Sequence, residues 1–249
     1  MRLRRTGGWR VRSDPVRGRR QALREEAGYW RDWIRDRGGR WHADFDYRFD
    51  PESEVEDGAL RSVLNEAGAD ACILDVGAGP VTSVGSRYEG VPLKVVAVDP
   101  LADEYNRLLA SAGLEPPIRT EQVEGERLLS RFGAEAFHIA YARNALDHAV
   151  DPVVIIEQML AVLRPGGYVV LRHRTDEAIQ QKYVQLHQWN FAAREGRLIV
   201  WRPGSETDIS AQLTSRAEVR CYQEATDPGA KADEADPGWC VCLIRKLES

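Results

Sequence analysis

Residues 73–85 read ILDVGAGPVTSVG, an apolar run followed by an acid and a glycine turn. Glycines at 77 and 79 let the backbone approach a nucleotide closely, and Asp75 just ahead of them bears on which nucleotide it is. A carboxylate there repels a pyrophosphate and suits a ligand carrying positive charge. Asp99 ends the next apolar run, where an acid can accept both hydroxyls of a ribose. Further on stand the adjacent pair Asp147 and His148, and then His173. A neutral imidazole can take the proton of a hydroxyl nucleophile, and a neighbouring carboxylate can polarise it. The stretch LHQWNF, residues 186–191, groups His187, Gln188 and Asn190 around Trp189. That set suits a polyhydroxylated or heteroaromatic ligand; it equally describes a helix end capped by Asn190 with Trp189 in the core.

The turn departs from a dinucleotide fingerprint in two places. Its sixth position is Thr82 instead of the Gly or Ala that close helix–strand packing requires, and Pro80 removes one N–H from the cradle. Asp99 serves NAD and adenosine ligands equally, so Asp75 and Pro80 discriminate. They favour a ligand bearing an ammonium and a sulfonium. An NAD(P)-dependent oxidoreductase, the competing enzyme class, would need a hydride-transfer site, and no Tyr-x-x-x-Lys pattern is present.

The elements that must hold these residues follow from periodicity. Residues 21–37 have helical spacing, stopped by Gly38 and Gly39, and an aromatic-rich loop, WHADFDYRFDP, ends at Pro51. An amphipathic helix is expected over 52–68, with Val55, Leu60, Val63 and Leu64 on one side. Strands are expected at 71–76, 93–99, 136–142 and 167–173, with helices at 101–113 and 152–163 between them. Such alternation predicts an α/β fold with a doubly wound, mostly parallel sheet. Two late apolar runs, 197–202 and 238–247, suit antiparallel additions at the sheet edge.

Composition bounds the remaining classes. The 249 residues are 43% hydrophobic and 29% charged, an ordinary globular balance. No run approaches the roughly 18 apolar residues of a membrane span, and the N-terminus lacks the apolar stretch of a secretory signal, so the cytoplasm is expected. Residues 1–40 hold 13 Arg against 5 acids, whereas the chain as a whole is −5. A basic leader over 1–20 is expected to be disordered, and the acidic remainder argues against nucleic acid. Cys72, Cys221, Cys240 and Cys242 form no CxxC pair and read as reduced thiols. No metal is expected, because the His and Cys residues lack ligand spacing.

Five segments in order resemble the class I S-adenosylmethionine-dependent methyltransferases: LDVGAGP, VVAVDP, EGERL (124–128), FHIAYARNALDH (137–148) and LRPGGYVVL (163–171). His138 departs from the Asp usual at its position. The resemblance implies a Rossmann-like seven-stranded sheet over 71–249, S-adenosyl-L-methionine as cofactor and an N-terminal helical extension over 21–70. It implies cofactor contacts from Asp75, Gly77, Ala78 and Gly79 at the methionine part. Asp99 would take the ribose, with Pro100 and Leu101 at the adenine. Gly125 and Glu126, or Glu124, would stand at the adenine amino group, and Ala142 and Arg143 under the sulfonium.

On this reading the acceptor is a small molecule or saccharide methylated at oxygen, in natural-product or glycan chemistry. His148 with Asp147, or else His173, supplies the base. Trp30, Trp33, Asn144, His187, Gln188, Trp189 and Asn190 are expected at the acceptor, and Arg48 at the methionine carboxylate. A non-catalytic methyltransferase-like binding protein is the remaining alternative.

Overall fold

A computed structural model describes residues 15–68, 70–225 and 237–248. The chain begins with α1 (Pro15–Arg35), α2 (His42–Phe49) and α3 (Gly58–Ala67). Residues 1–14 of the expected leader lie outside the described residues, and 15–20 belong to α1 instead of the leader. The aromatic segment expected as a loop is α2, whose Phe45 is buried and stacks on Phe49 at 4.4 Å. Helix α3 starts later than expected because Asp57 caps it, accepting the Leu60 N–H at 2.8 Å. Val55 is buried ahead of the helix, not on it.

Strand β1 (Cys72–Val76) leads through the glycine turn to a small hairpin, β2 (Arg87–Tyr88) with β3 (Val91–Pro92), and then to β4 (Lys94–Asp99). No helix follows the glycine turn, so this crossover lacks the helix that the alternating pattern suggested. Next come α4 (Ala102–Ser111), β5 (Glu121–Gln122), α5 (Leu128–Phe132), β6 (Phe137–Arg143), α6 (Pro152–Ala161) and β7 (Leu163–Arg174). The chain continues with α7 (Glu177–Gln180), β8 (Asn190–Arg194), β9 (Arg197–Arg202), β10 (Ser205–Asp208) and α8 (Ile209–Leu213). It closes with β11 (Ala217–Glu224) and β12 (Trp239–Lys246).

The main sheet has seven strands in the order β11-β12-β7-β6-β1-β4-β5. Strands β5, β4, β1, β6 and β7 are parallel neighbours, and β12 and β11 are added antiparallel. Of the two late runs, residues 239–246 do join this sheet. Residues 197–202 do not: they form the centre of a separate three-stranded meander, β10-β9-β8. Short turns hold that meander together, and it buries Phe191, Leu198 and Val200 against one face of the main sheet beside α6. The opposite face is covered by α3 and the hairpin, through Leu60, Val63, Leu64, Val84 and Tyr88. The edge strand β11 escaped sequence reading because it carries charge on its open face (Glu218, Arg220, Glu224), as edge strands commonly do.

Chain order reverses between β1 and β6, which is where open α/β sheets form a ligand crevice beyond the strands' carboxyl ends. The glycine turn leaves β1 at that point, and Arg143 and Asn144 leave β6 beside it. Among the described residues, no helix is long and apolar enough to cross a membrane.

Candidate functional site

A cavity of about 1930 Å³ opens over this reversal point. Pockets for one small ligand run to about 1,000 Å³, so there is room for two ligands side by side. Its walls include Asp75, Gly77, Ala78, Gly79, Asp99, Pro100, Leu101, Glu124, Gly125, Glu126, Arg143 and Asn144. Trp30, Trp33, Arg48, His148 and His187 also line it.

The glycine turn is built tightly. Gly77 and Gly79 have φ of +75° and +67°, which side chains rarely adopt. A Cβ at Gly77 would lie 2.4 Å from the Ala145 Cβ, and one at Gly79 would meet the Trp30 ring at 3.0 Å. The N–H groups of Gly77 and Ala78 both donate to Val98 O, at 2.8 and 3.1 Å. The Gly79 N–H donates to Asp99 Oδ2 at 3.1 Å, and residue 80 is a proline. The four positions therefore leave no N–H for a pyrophosphate, and no helix N-terminus stands behind them.

Asp99 also accepts the Leu101 N–H through Oδ1 at 2.8 Å. Burial pushes its pKa up to about 7, against those two hydrogen bonds. Asp75 is likewise raised by burial, to about 6, while the Thr82 hydroxyl donates to its Oδ2 at 2.6 Å. Thr82, the departure from the dinucleotide pattern, thus orients the acid ahead of the turn. Gly125 lies under Ile155, whose side chain a Cβ would meet at 2.9 Å.

At the far end of the cavity the chain brings together Asp147, His148 and His187. Asp147 and His148 sit in a 3-10 turn, residues 146–148, after β6. His187 comes from an irregular turn after α7. The two segments are fastened by the Gln188 N–H donating to Asp147 O at 3.1 Å and by Trp189 Nε1 donating to Ala149 O at 3.2 Å. Asp147 Oδ2 lies 2.7 Å from His187 Nδ1 and 3.6 Å from His148 Nε2, and the two ring nitrogens are 3.1 Å apart. Burial opposes ionisation of Asp147, but the two imidazoles hold its pKa below the ordinary value.

Several expected contacts go elsewhere. His173 is buried, stacked on Phe191 at 4.1 Å, with neither ring nitrogen hydrogen-bonded. Burial lowers its pKa to about 4, so it is a neutral core residue and not a cavity base. Trp189 packs in the core, and Asn190 is fully buried, accepting the Ile179 N–H and donating to Tyr183 Oη. Gln188 donates to the Tyr183 and Gln185 carbonyls, outside the cavity. Ala142 is fully buried under the sheet's end, and only Arg143 reaches the cavity. Trp33 touches the cavity while packing on Phe45, and Arg48 spends donors on Val81 O and Asp44.

Sequence reasoning missed Tyr105, Arg172, Arg174 and Trp239 as cavity residues. The guanidiniums of Arg143, Arg172 and Arg174 lie 5.6, 4.8 and 5.0 Å from the Trp239 ring. The signal was present in β7: strand period places Arg172 and Arg174 on one face and His173 on the other.

A family model described as "Methyltransferase domain" matches residues 51–216. No curated protein matches the chain. Among solved structures the chain is similar to one in the complex between the Haloferax volcanii Trm112 methyltransferase activator and a methyltransferase. The two are 12% identical over 91% of this chain and 98% of that one, with a TM-score of 0.56. It is also similar to N-methyltransferase NodS from Bradyrhizobium japonicum WM9, at 17% identity over 76% and 93% of the chains and a TM-score of 0.48. Burkholderia thailandensis 1,6-didemethyltoxoflavin-N1-methyltransferase is 16% identical over 92% and 91%, with a TM-score of 0.48.

The residues present fit the family's cofactor. The crowded glycines at 77 and 79 keep the turn open where a Cβ would fill it, Asp75 and Asp99 suit an ammonium and a ribose, and the turn offers no pyrophosphate cradle. The chain belongs to the methyltransferase-domain family and is a class I S-adenosylmethionine-dependent methyltransferase.

Proposed function

We propose that this methyltransferase acts on an oxygen of a small polyhydroxylated acceptor, a saccharide or a comparable natural product. The observation that carries this reading is one cavity joining Asp99 and the glycine turn to His148 and His187. In it the backbone of Gly77, Ala78 and Gly79 holds the methionine part of the cofactor, with Asp75 at the ammonium and Arg48 or Arg143 at the carboxylate. Asp99 takes the ribose hydroxyls. Pro100 and Leu101 lie against the adenine, and Gly125 with Glu124 or Glu126 borders its amino group.

When bound, S-adenosylmethionine supplies a methyl carbon already activated by its sulfonium. The protein's work is then alignment, a large share of the acceleration of such displacements. His148 presents its imidazole to the acceptor hydroxyl, held from behind by Asp147 and His187. Tyr29 and Trp41, both largely exposed on the cavity's wall, offer the flat apolar faces on which sugar rings stack. Asn144, Gln181 and Gln185 add polar side chains to that wall. On this reading residues 21–70 cover the acceptor and 71–249 carry the cofactor.

Incubation with methyl-labelled S-adenosylmethionine and a panel of saccharides, phenols, carboxylic acids and amines tests the proposal. Product mass and NMR should show O-methylation of a hydroxylated acceptor. Transfer to amines alone would overturn it.

A further inference from the structure

The sequence spacing gives no hint of a metal site, yet folding places three ligand-type side chains around one point. His148 Nε2, His187 Nδ1 and Asp147 Oδ2 are separated by 3.1, 2.7 and 3.6 Å. The point equidistant from all three lies about 1.9 Å from each, so an ion slightly out of their plane sits at the ~2.0–2.1 Å of zinc–nitrogen and zinc–carboxylate bonds. From this geometry we propose that Asp147, His148 and His187 form a binding site for a divalent transition-metal ion of the zinc class.

Hydrogen bonding alone accounts poorly for the cluster. If the His187 Nδ1–H donates to Asp147, that nitrogen has no lone pair left to accept from His148. Two ring nitrogens and an oxygen then crowd around a single hydrogen. The second carboxylate oxygen, Asp147 Oδ1, is buried with no hydrogen-bond partner, an expensive arrangement for an anion. One cation accepts all three lone pairs and compensates the buried charge. Two imidazoles and one carboxylate select a borderline ion, since magnesium and calcium prefer oxygen ligands throughout.

The outer surroundings agree. The other ring nitrogen of His148, Nδ1, faces Glu26 Oε2 at 4.0 Å, on the side where metal-bound imidazoles commonly find a carboxylate. Gln188 N–H and Trp189 Nε1 fasten the two ligand-bearing segments to one another, so the site is preorganised. His148 and His187 both line the cavity, so coordination positions left open by three protein ligands face it. An open position would take the acceptor's oxygen and lower its pKa, so that with the ion bound His148 would serve as a ligand in place of a base; that part of the inference rests on the proposed reaction.

The full chain, stripped with a chelator and dialysed, is titrated with Zn²⁺ by calorimetry and with Co²⁺ by visible absorption. Thermal melts and a parallel titration with S-adenosylhomocysteine run on the same samples. One ion per chain should bind at micromolar concentration or tighter, with a Co²⁺ d–d band and a raised melting temperature. His187→Ala and Asp147→Asn should each weaken ion binding at least about 100-fold. Absence of ion binding in a chain that still binds S-adenosylhomocysteine would overturn the metal site alone. So would Zn²⁺ affinity unchanged in a folded His187→Ala variant. Loss of S-adenosylhomocysteine binding with the ion retained would instead count against the cofactor assignment.

Discussion

Asp147 Oδ2 and His187 Nδ1 lie 2.7 Å apart although 40 residues separate them in the chain. The contact ties the turn after β6 to the turn after α7 and, with His148, gathers three ionisable side chains beside the cavity. Asp99 and the glycine turn are built independently, at the ends of β4 and β1.

That separation predicts a split effect. His148→Ala should lower turnover at least about 100-fold while leaving S-adenosylhomocysteine affinity within a few-fold. Steady-state rates beside calorimetry read both. His173→Ala should behave differently: it removes a ring stacked on Phe191 in the core, so the melting temperature falls more than the rate does. A His148 variant that loses cofactor affinity in step with rate would make His148 part of the cofactor site.

Asp99→Ala should weaken cofactor binding by about 1.5–3 kcal/mol, the scale for hydrogen bonds to a charged group. The fold should persist, read by circular dichroism, because the carboxylate ends a strand on the cavity floor. Unchanged affinity would place the ribose elsewhere.

The same acid makes stability depend on pH. Its pKa is raised by burial from 3.8 to about 7, so between those values the folded state holds a proton that the unfolded state has lost. Stability from this group therefore falls as pH rises from about 4 to about 7, and levels off above that. Asp99→Asn removes the effect. Its melting temperature relative to the unmodified chain should climb across that interval, and a constant difference would contradict the buried ionisation.

Crowding at the glycine turn separates two kinds of glycine. Gly77 and Gly90 have nearly equal φ, +75° and +76°, but a Cβ at Gly90 meets nothing within 4 Å. Gly90→Ala should cost about 1 kcal/mol of backbone strain. Gly77→Ala adds a clash with Ala145, a further ~1–3 kcal/mol of overpacking, and should reduce cofactor affinity as well. Denaturant melts of the two variants give the comparison. Equal losses would show that the contact with Ala145 relaxes freely.

The half of the cavity around the glycine turn was legible in the sequence because its signals are local. The glycine turn, Asp75 and Asp99 each sit at a strand's end, where chain position nearly fixes spatial position. The half around Asp147 and His187 was not. Between α7 and β8 the backbone takes positive φ at Lys182, Tyr183 and Gln185, so no helical or strand period runs through LHQWNF. Packing alone decides that His187 turns into the cavity while Trp189 and Asn190 turn into the core. The same holds for the cluster itself, since Asp147 and His187 meet only through long-range contacts. In β7, by contrast, the period of two was available, and it puts Arg172 and Arg174 at the cavity and His173 behind the sheet.

This crevice is built for an adenosyl sulfonium ligand and not for a dinucleotide. Gly77, Ala78 and Gly79 have already committed their N–H groups to Val98 and Asp99, and Pro80 has none to offer. Calorimetric titration of the purified chain with S-adenosylhomocysteine and with NAD tests this most directly. One S-adenosylhomocysteine should bind per chain, less tightly in Asp99→Ala, and NAD should bind far more weakly. NAD binding as tight as S-adenosylhomocysteine, or tighter, would contradict it.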